Sequence, residues 1–389
     1  MTKNIWATFI IALLLLGCAS DEQAQDNIPA TVDLSELGRL LFFDENLSTP
    51  AGQSCASCHD PAAGFADPDK NSPTSEGVNA GLFGNRNTPT SAYAFLSPDF
   101  VSFIQVENPD DPGQFLYQGS LGGQFLDGRR SDLAEQAKDP FLNPVEMANP
   151  DIASVVYKVR NASYVDLFLQ AFGENAFVNV FSAYDNIVLA IAEFEKSAEM
   201  NPFTSKFDYY QQGLLDLTAE ELRGLDVFMV KGKCNTCHFI GESLPLPTSP
   251  PAIFTNFRYF NIGVPRNPNN AFYTQDVAVN PDGEMFIDLG LGGVSNDRNE
   301  DGMFKTPTLR NIELTAPYMH NGVFTTLEEV VDFYNTVQDT FPEPPEIDPG
   351  NISTDVGFLD FTLDPENNID EAGDLVAFLK TLTDGYSAP

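Results

Sequence analysis

The chain has 389 residues, of which 42% are hydrophobic, and this is typical of a globular protein of about two domains. It carries 56 Asp and Glu against 20 Lys and Arg, so its formal net charge is −36. This charge argues against nucleic acid or an anionic membrane surface as a partner and favours basic or neutral partners. An acidic surface adapted to a saline environment explains the charge equally well.

The N-terminus has the pattern of a targeting segment. Lys3 precedes an apolar run over 5–16 that is too short to span a bilayer. The run ends at Leu15-Leu16-Gly17-Cys18, which resembles a bacterial lipobox, so we expect a lipoprotein signal peptide over 1–17 and lipidation of Cys18. The alternative is an ordinary signal peptide with an incidental cysteine. The polar stretch 18–32 predicts a flexible tether. We expect a periplasmic protein whose only membrane attachment is the lipid.

Apolar residues at helical spacing dominate the rest of the chain and predict a mainly α fold. Helices are predicted at Leu34–Phe43, Ser131–Lys138, Ile152–Phe172, Ala183–Met200, 325–335 and 367–382. Thr218-Ala219-Glu220-Glu221 has the pattern of a capping box that opens one more helix. Stretches rich in proline and glycine predict long irregular loops, and one of them, 97–124, is predicted to be a surface insertion.

One pentapeptide pattern, C-x-x-C-H, occurs at 55–59 and again at 234–238. It is the attachment signature for c-type haem. Cys55 with Cys58, and Cys234 with Cys237, would each bind a haem through thioether bonds, and the adjoining histidine would ligate its iron. These axial ligands are His59 and His238. A redox dithiol or a four-cysteine zinc site would use such thiols but would need neither histidine.

The two halves of the chain share one plan: a helix, the C-x-x-C-H motif and then long loops. This plan predicts two cytochrome c-like haem domains, 33–213 and 214–389, each with one covalently bound haem c. It also suggests that the domains are related by duplication. The remaining cysteine is Cys18, so no cysteine is left for a disulfide framework.

Further motifs surround the haem-attachment motifs in both halves. They are Leu37-Gly38-Arg39, Gly64-Phe65-Ala66-Asp67, Arg86-Asn87-Thr88-Pro89-Thr90, Asp127-Gly128-Arg129, Gln136-Ala137 with Pro140, Glu146-Met147, Phe304 to Asn311, and Ala316-Pro317-Tyr318-Met319-His320. Over about 33–383 the chain resembles the bacterial dihaem cytochrome c peroxidases and their MauG-like relatives. The resemblance implies an oxidoreductase whose N-terminal haem reacts with peroxide and whose C-terminal haem handles electron transfer.

The resemblance also implies three catalytic residues beside the first haem. Peroxide cleavage needs an open iron and a group that moves a proton from the inner to the outer oxygen. By similarity Glu146 is this acid–base group, Gln136 hydrogen-bonds the bound peroxide and Pro140 shapes the pocket. Taken outside the motif, Glu146 would be interpreted as a solvated carboxylate at a helix end.

Two positions depart from the family pattern. Many members carry a histidine near Gly77-Val78 that caps the first iron until the other haem is reduced, and this chain has none there. We therefore expect the first haem to be open without reductive activation. The tryptophan that usually stands between the haems is replaced by Leu126, so electrons must cross through other groups or by direct tunnelling. His320 is expected to line the inter-haem region, with ligation of iron as the alternative.

The second haem needs a further axial ligand opposite His238. Counting from His320 to the family's ligand position leads to Tyr334, where the peroxidases usually carry Met and the MauG-like enzymes carry Tyr. A phenolate stabilises a higher iron charge, whereas a thioether favours the ferrous state. The alternative is that Tyr334 packs on the haem face while Met303, Met319 or Met285 is the ligand.

The resemblance further implies a calcium ion between the haem domains. Its expected ligands are Asn87 and the backbone carbonyls of Thr315 and Pro317, an oxygen set that suits calcium. Asp297-x-Asn299-x-Asp301-Gly302 resembles the start of an EF-hand loop, but the twelfth position is Thr308 in place of glutamate. A polar turn is the favoured interpretation of that segment.

The leading functional hypothesis is a peroxidase that reduces hydrogen peroxide with electrons from a small periplasmic donor, a cytochrome c or a cupredoxin. The alternative enzyme is MauG-like and oxidises a protein or organic substrate through oxidising equivalents stored on both haems. The non-enzyme alternative is a dihaem electron carrier. Glu146 and Gln136 favour the two enzymes over the carrier.

Overall fold

The computed structural model describes residues 33–387, except 109, 110, 112, 241–250, 337–343, 348–350, 354–358 and 367–368. The predicted signal peptide, Cys18 and the tether lie outside the described residues. From Asp33 onward the chain forms one compact unit with two large hydrophobic cores. None of the helices in the described ranges is long and apolar enough to cross a membrane.

Helices and loops make up most of the described chain, as the predicted mainly α class requires. The helices are α1 Leu34–Phe42, α2 Cys55–Cys58, α3 Leu133–Gln136, α4 Lys138–Leu142, α5 Ile152–Arg160, α6 Val165–Phe172, α7 Val180–Glu195, α8 Lys206–Gln211, α9 Ala219–Asp226, α10 Leu291–Ser295, α11 Leu327–Thr336 and α12 Glu371–Lys380. The strands form antiparallel pairs: β1 Val101–Glu107 with β2 Phe115–Leu121, β3 Tyr259–Phe260 with β4 Phe304–Lys305, and β5 Leu363–Asp364 with β6 Ile369–Asp370.

Three predicted elements need correction. The single helix predicted over Ile152–Phe172 is wrong, because the chain turns after α5, where the backbone N–H of Asn161 bonds to the Lys158 carbonyl, and a new helix begins at Val165. The helix predicted over Ala183–Met200 instead begins at Val180, since the side chain of Asn179 accepts the N–H groups of the first turn, and it ends at Glu195. The predicted irregular insertion 97–124 contains the β1–β2 hairpin, in which Ile104 pairs with Gly119.

The first core packs α1 against α7. Gly38 allows this close crossing, because a Cβ at that position would overlap the carbonyl oxygen of Ala190 and lie 2.8 Å from the Cβ of Phe194. The buried members of this core all lie between Leu37 and Met200. The core therefore comes from one continuous stretch of chain, and the first C-x-x-C-H motif lies within that stretch.

The second core repeats the arrangement with α9 and α12. A Cβ at Gly224 would overlap the carbonyl oxygen of Asp374 and lie 2.8 Å from the Cβ of Phe378. The predicted capping box is confirmed: Thr218 Oγ1 accepts the N–H of Glu221 over 3.2 Å, and the Glu221 carboxylate accepts the N–H of Thr218 over 2.7 Å. The buried members of this core lie between Phe207 and Leu382. The domain boundary at 213/214 stays a prediction.

Arg310 joins the two cores. Its guanidinium is fully buried and binds the Asp208 carboxylate with two hydrogen bonds of 2.9 and 2.6 Å. It also lies over the rings of Tyr93 and Phe203, with 4.9 and 4.5 Å from its central carbon to the ring centroids. Because Tyr93 belongs to the first core and Asp208 lies in α8 beside Phe207 of the second, Arg310 fixes one core against the other.

Candidate haem sites

The first C-x-x-C-H motif forms the short helix α2 followed by His59. The backbone N–H of His59 donates to the carbonyl of Cys55 over 2.9 Å, which closes the turn. Nδ1 of His59 lies 3.0 Å from the carbonyl oxygen of Phe65, so Nδ1 carries the proton and Nε2 keeps a free lone pair. Burial lowers the pKa of His59, so the ring is neutral, as an iron ligand must be.

The second motif presents its histidine in the same way. The N–H of His238 donates to the carbonyl of Cys234 over 2.8 Å, and Nδ1 of His238 lies 2.9 Å from the carbonyl oxygen of Phe254. Burial lowers the pKa of His238 to about 4. Both histidines therefore offer a neutral Nε2 whose orientation is set by a backbone carbonyl.

The carbonyls of Phe65 and Phe254 were not predicted as orienting groups. Both residues have positive φ, 59° and 53°, and both follow a residue held by a threonine. Thr90 Oγ1 donates to the Gly64 carbonyl and Thr308 Oγ1 to the Ile253 carbonyl, each over 2.6 Å. The sequence signal for this arrangement is the tripeptide Thr-Pro-Thr, which occurs at 88–90 and at 306–308.

The four cysteines are half-buried and form no disulfide. Burial raises the pKa of Cys58 and of Cys234 to about 12 and that of Cys55 further. Thiols with raised pKa values are poor nucleophiles, which disfavours a redox dithiol. Among the described residues no three His, Cys, Asp or Glu side chains converge as a metal-binding group, so the four cysteines do not form a zinc site.

A cavity of about 340 Å³ opens at the second motif. Both thiols and His238 lie in its wall, and most of the remaining lining is apolar, including Phe228, Leu309, Val331 and Leu375. Two thiols, a neutral imidazole and apolar walls fit a covalently attached haem c. Leu126, at the position of the missing tryptophan, also lines this cavity, and its carbonyl accepts the N–H of Lys305 over 2.8 Å.

Tyr334, on α11, lines the same cavity. Burial raises its pKa, and the Cys237 and Cys234 thiols add to the shift, so Tyr334 is a neutral phenol when no cation is near. Its hydroxyl has no hydrogen-bond partner within the described ranges. Met319 lines the cavity too, and both Met319 and Tyr334 pack against the small cluster of Val264 and Phe333. Met285 is 80% exposed and Met303 is not part of the lining, so of the side chains considered only Tyr334 and Met319 are placed to complete the second site.

Glu146 lies near the first motif. After burial, which is the main cause, the negative charge of Glu146 also raises the pKa of Cys55 and of Cys58, so the carboxylate acts electrostatically on the two thiols. Burial raises the pKa of Glu146, while the Arg129 guanidinium and a hydrogen bond from Asn143 oppose this shift. Nδ2 of Asn143 donates to Oε1 of Glu146 over 2.7 Å. Sequence reasoning missed Asn143.

Pro140 and Gln136 lie on the chain that leads to Glu146. Pro140 is in α4, and its carbonyl accepts the N–H of Met147 over 3.2 Å, so α4 packs beside the Glu146 segment. Gln136 is the last residue of α3, and its side-chain amide makes no hydrogen bond to any described residue. The structure places Pro140 next to the acid–base candidate and leaves the amide of Gln136 free.

His320 lies in the cavity wall between the halves, as expected. Its ring stacks on Phe304 with a centroid distance of 3.9 Å, and its Nε2 is 3.3 Å from Oε2 of Glu346. Because Nε2 faces this carboxylate, the alternative role as an iron ligand is disfavoured. Glu346 itself was not predicted, since it follows no motif and meets His320 only through the fold.

The predicted calcium ligands come together in part. The Asn87 side chain contacts the Pro317 carbonyl oxygen, and the backbone N–H of Asn87 donates to the His320 carbonyl over 2.8 Å. Thr315 lines the same cavity as both residues. At the EF-hand-like segment, Asp297 accepts the N–H of Asn299 over 2.9 Å, which is the local turn favoured above.

Comparisons with known proteins agree with this geometry. A family model described as di-haem cytochrome c peroxidase matches residues 33–216. The chain is 36% identical to the methylamine utilization protein MauG of Paracoccus denitrificans, over 97% of this chain and 95% of that protein. It is 32% identical to the cytochrome c551 peroxidase of Nitrosomonas europaea, over 91% of this chain and 81% of the relative. The solved structure of the diheme peroxidase BthA from Burkholderia thailandensis is similar with a TM-score of 0.74 and 32% identity, covering 90% of this chain and 86% of that one.

The matches to MauG, the cytochrome c551 peroxidase and BthA span nearly the whole chain, and both C-x-x-C-H motifs present two thiols and a neutral histidine. The protein therefore belongs to the di-haem cytochrome c peroxidase family of oxidoreductases.

Proposed function

We propose that this protein is a periplasmic dihaem peroxidase that reduces hydrogen peroxide at its first haem. The observation that carries the proposal is the half-buried carboxylate of Glu146, which Asn143 orients through a hydrogen bond and whose charge acts on both thiols of the first motif. A plain electron carrier has no use for such a group. When bound, a haem c at the first motif would supply the iron at which hydrogen peroxide, two electrons from the donor and two protons become two water molecules.

Each residue around the first site has its own proposed role in the reaction with peroxide. His59 would ligate the iron of a bound haem c through Nε2, which the hydrogen bond from Nδ1 to the Phe65 carbonyl leaves free. Glu146 would accept the proton of the inner peroxide oxygen and give it to the outer oxygen, so that the O–O bond breaks and the outer oxygen leaves as water. Gln136 donates a hydrogen bond to the peroxide, and Pro140 shapes the pocket. Arg129 and Asn143 favour the ionised form of Glu146, which is the form that can accept a proton.

We further propose that the first haem is open in the oxidised protein. The chain has no histidine near Gly77 and Val78, and the N–H of Val78 donates to the Glu146 carbonyl over 2.9 Å. As isolated and fully oxidised, the protein should bind cyanide and turn over peroxide without pre-reduction. Two ferric haems that are both six-coordinate, low-spin and inert until one electron is added would contradict this proposal.

At the second haem we propose Tyr334 as the ligand opposite His238. Its hydroxyl is without a partner in the described chain, and its ring lies in the wall of the same cavity. This position favours a second candidate function, in which the protein removes electrons from a protein or organic substrate as a MauG-like enzyme. The 36% identity to MauG over 97% of the chain supports this alternative.

The remaining expectations form part of the same proposal. Asn87, Thr315 and Pro317 would hold a calcium ion, Cys18 would carry the lipid anchor, and the two halves would have arisen by duplication. The matching glycine crossings at Gly38 and Gly224 support the duplication. The net charge of −36 favours a basic or neutral cytochrome c or cupredoxin as the electron donor.

A donor panel distinguishes the two enzymes. The purified holoprotein is mixed with peroxide and, in turn, with reduced basic cytochromes c, reduced cupredoxins and candidate protein substrates. Rapid oxidation of a small donor supports the peroxidase. Slow donor oxidation combined with covalent oxidation of a protein substrate supports the MauG-like enzyme. Peroxide consumption no faster than with free haem would contradict both.

A further inference from the structure

The loop formed by residues 75–84 lies beside the first haem motif and is closed on itself. The N–H of Gly77 donates to the Leu82 carbonyl over 2.7 Å, and the N–H of Gly84 donates to the Ser75 carbonyl over 3.0 Å. Glu76 and Phe83 face each other as an antiparallel bridge. We call this segment the 75–84 loop. Its main-chain hydrogen bonds give it a fixed shape of its own.

Side chains from both halves hold the loop in place. Gln53, directly before the first haem motif, donates through Nε2 to the Glu76 carbonyl over 3.0 Å. Gln275, in the second half, donates through Nε2 to the Phe83 carbonyl over 2.6 Å. The Ser75 hydroxyl bonds to the Asp67 carboxylate. The loop is therefore tied to the haem-binding segment at one end and to the second half at the other.

The loop contacts the Glu146 segment through backbone atoms at Gly77 and Val78. The N–H of Val78 donates to the Glu146 carbonyl over 2.9 Å. A Cβ at Gly77 would overlap the carbonyl oxygen of Val145 and lie 3.0 Å from the backbone nitrogen of Glu146. The atoms that such a Cβ would meet belong to the backbone, which cannot rotate away as a side chain could. Any residue other than glycine at position 77 must force the loop and the Val145–Glu146 backbone apart.

We propose that Gly77 and Val78 are positioning residues that hold the backbone of Glu146 in its place, so that the 75–84 loop supports the acid–base group. The inference rests on the proposed role of Glu146. It assigns a structural role to the loop in this chain, which has no histidine near Gly77 and Val78 to cap the first iron. It also ties the geometry of the distal side to the first haem motif, through Gln53 and Glu76.

The test compares two alanine variants within the same loop. Gly77→Ala places a methyl group against Val145 and Glu146, whereas Gly84→Ala meets nothing closer than 3.8 Å, at the Arg86 carbonyl. Both holoproteins are checked for haem content and thermal unfolding. We expect Gly77→Ala to lower the rate constant for the reaction with peroxide, by up to about 10²-fold if the carboxylate moves by about 1 Å. We expect Gly84→Ala to stay within about twofold of the parent, because its methyl group makes only ordinary contacts.

The pH profile separates positioning from general damage. Displacing Glu146 from Asn143 removes a hydrogen bond that lowers its pKa, so the acid limb of the peroxide reaction should move to higher pH in Gly77→Ala and stay in place in Gly84→Ala. In a Glu146→Gln background, Gly77→Ala should have no further effect on the rate, since the group that it positions is gone.

Three outcomes would overturn the inference. In the first, Gly77→Ala reacts with peroxide as fast as Gly84→Ala. In the second, Gly77→Ala lowers the rate constant by the same factor with and without Glu146→Gln. Either result contradicts the positioning role and leaves the proposed function unaffected. If Glu146→Gln itself keeps the full rate, the acid–base role fails and the positioning role fails with it. Should Gly77→Ala not bind haem, Val78→Pro removes the N–H donor to Glu146 without adding an atom at position 77, and the same comparisons apply.

Discussion

Nδ2 of Asn143 lies 2.7 Å from Oε1 of Glu146, and the backbone N–H of Glu146 donates back to the Asn143 carbonyl over 3.1 Å. One asparagine thus fixes both the side chain and the main chain of the acid–base group. A half-buried carboxylate held in this way keeps one orientation, which general acid–base catalysis requires. The first predictions follow from this pair.

Glu146→Gln should retain both haems and lower peroxide turnover by about 10²-fold or more, the usual contribution of a positioned acid–base group. The amide is of similar size but cannot accept and return a proton. Steady-state turnover with a fixed donor measures the loss. Glu174→Gln, an exposed glutamate in the same half, is the control and should leave turnover unchanged. Equal turnover in the Glu146 variant and the control would remove Glu146 from the mechanism.

Asn143→Ala should move the acid limb of the pH profile for kcat/KM of peroxide to higher pH. Burial already raises the pKa of Glu146 above its ordinary value, and the bond from Asn143 opposes that shift by favouring the ionised form. Without the bond, Glu146 becomes protonated at a higher pH as the solution is acidified, and the base is lost earlier. An acid limb that stays in place or moves to lower pH would show that Asn143 does not tune Glu146.

Tyr334→Met should raise the reduction potential of the second haem by a large step. A neutral thioether stabilises the ferrous iron, whereas a phenolate stabilises the ferric iron. The parent should show no thioether-to-iron charge-transfer band at the red edge of its ferric spectrum. Redox titration followed by absorption measures both quantities. Met319→Leu and Met303→Leu are the controls and should leave that potential nearly unchanged. A thioether band in the parent that disappears in Met319→Leu would make Met319 the ligand.

Glu195→Gln should reduce the dependence of stability on pH. Glu195 is 5% exposed, its Oε2 has no hydrogen-bond partner in the described chain, and burial raises its pKa to about 8. A carboxyl whose pKa is higher in the folded than in the unfolded state stabilises the fold at low pH, and this contribution is lost as pH rises from about 4.5 towards 8. The loss is a few kcal/mol at most.

The glutamine variant stays neutral at every pH, so its melting temperature should fall less between pH 5 and pH 8 than that of the parent. Glu193→Gln is the matched control, since Glu193 lies two residues earlier on α7 with its side chain 36% exposed. The control should keep the pH dependence of the parent. An unchanged dependence in the Glu195 variant would show that its carboxyl is already ionised in the fold.

Local patterns predicted the parts of the structure that depend on local sequence. The C-x-x-C-H turns, the capping box at Thr218 and the helix α1 each follow from a few neighbouring residues. The carbonyls of Phe65 and Phe254 were missed because a backbone carbonyl leaves no residue-type signal of its own, and only the two Thr-Pro-Thr tripeptides mark the arrangement in the sequence. Asn143 was missed because its short-range pattern also suits an ordinary turn. Glu346 meets His320 only after distant segments have folded together.

The β1–β2 hairpin was missed for a different reason. Its strands combine aromatic, branched and polar residues, but Phe103 and Leu116 are 58% and 57% exposed, so the usual alternation between a buried and a solvated face is weak. The break between α5 and α6 was hidden by apolar residues that continue the helical spacing across it. In both cases tertiary contacts decided against the local pattern.

The separation of the two cores has a consequence for the order of assembly. The first core needs only the chain from Leu37 to Met200, so this half can pack while later residues are still being translocated. The bond between Arg310 and Asp208, together with the contact of Arg310 with Tyr93, can form only after most of the second half has arrived. We expect the first half to fold and bind its haem before the second half does. Arg310 then makes its contacts with both cores last.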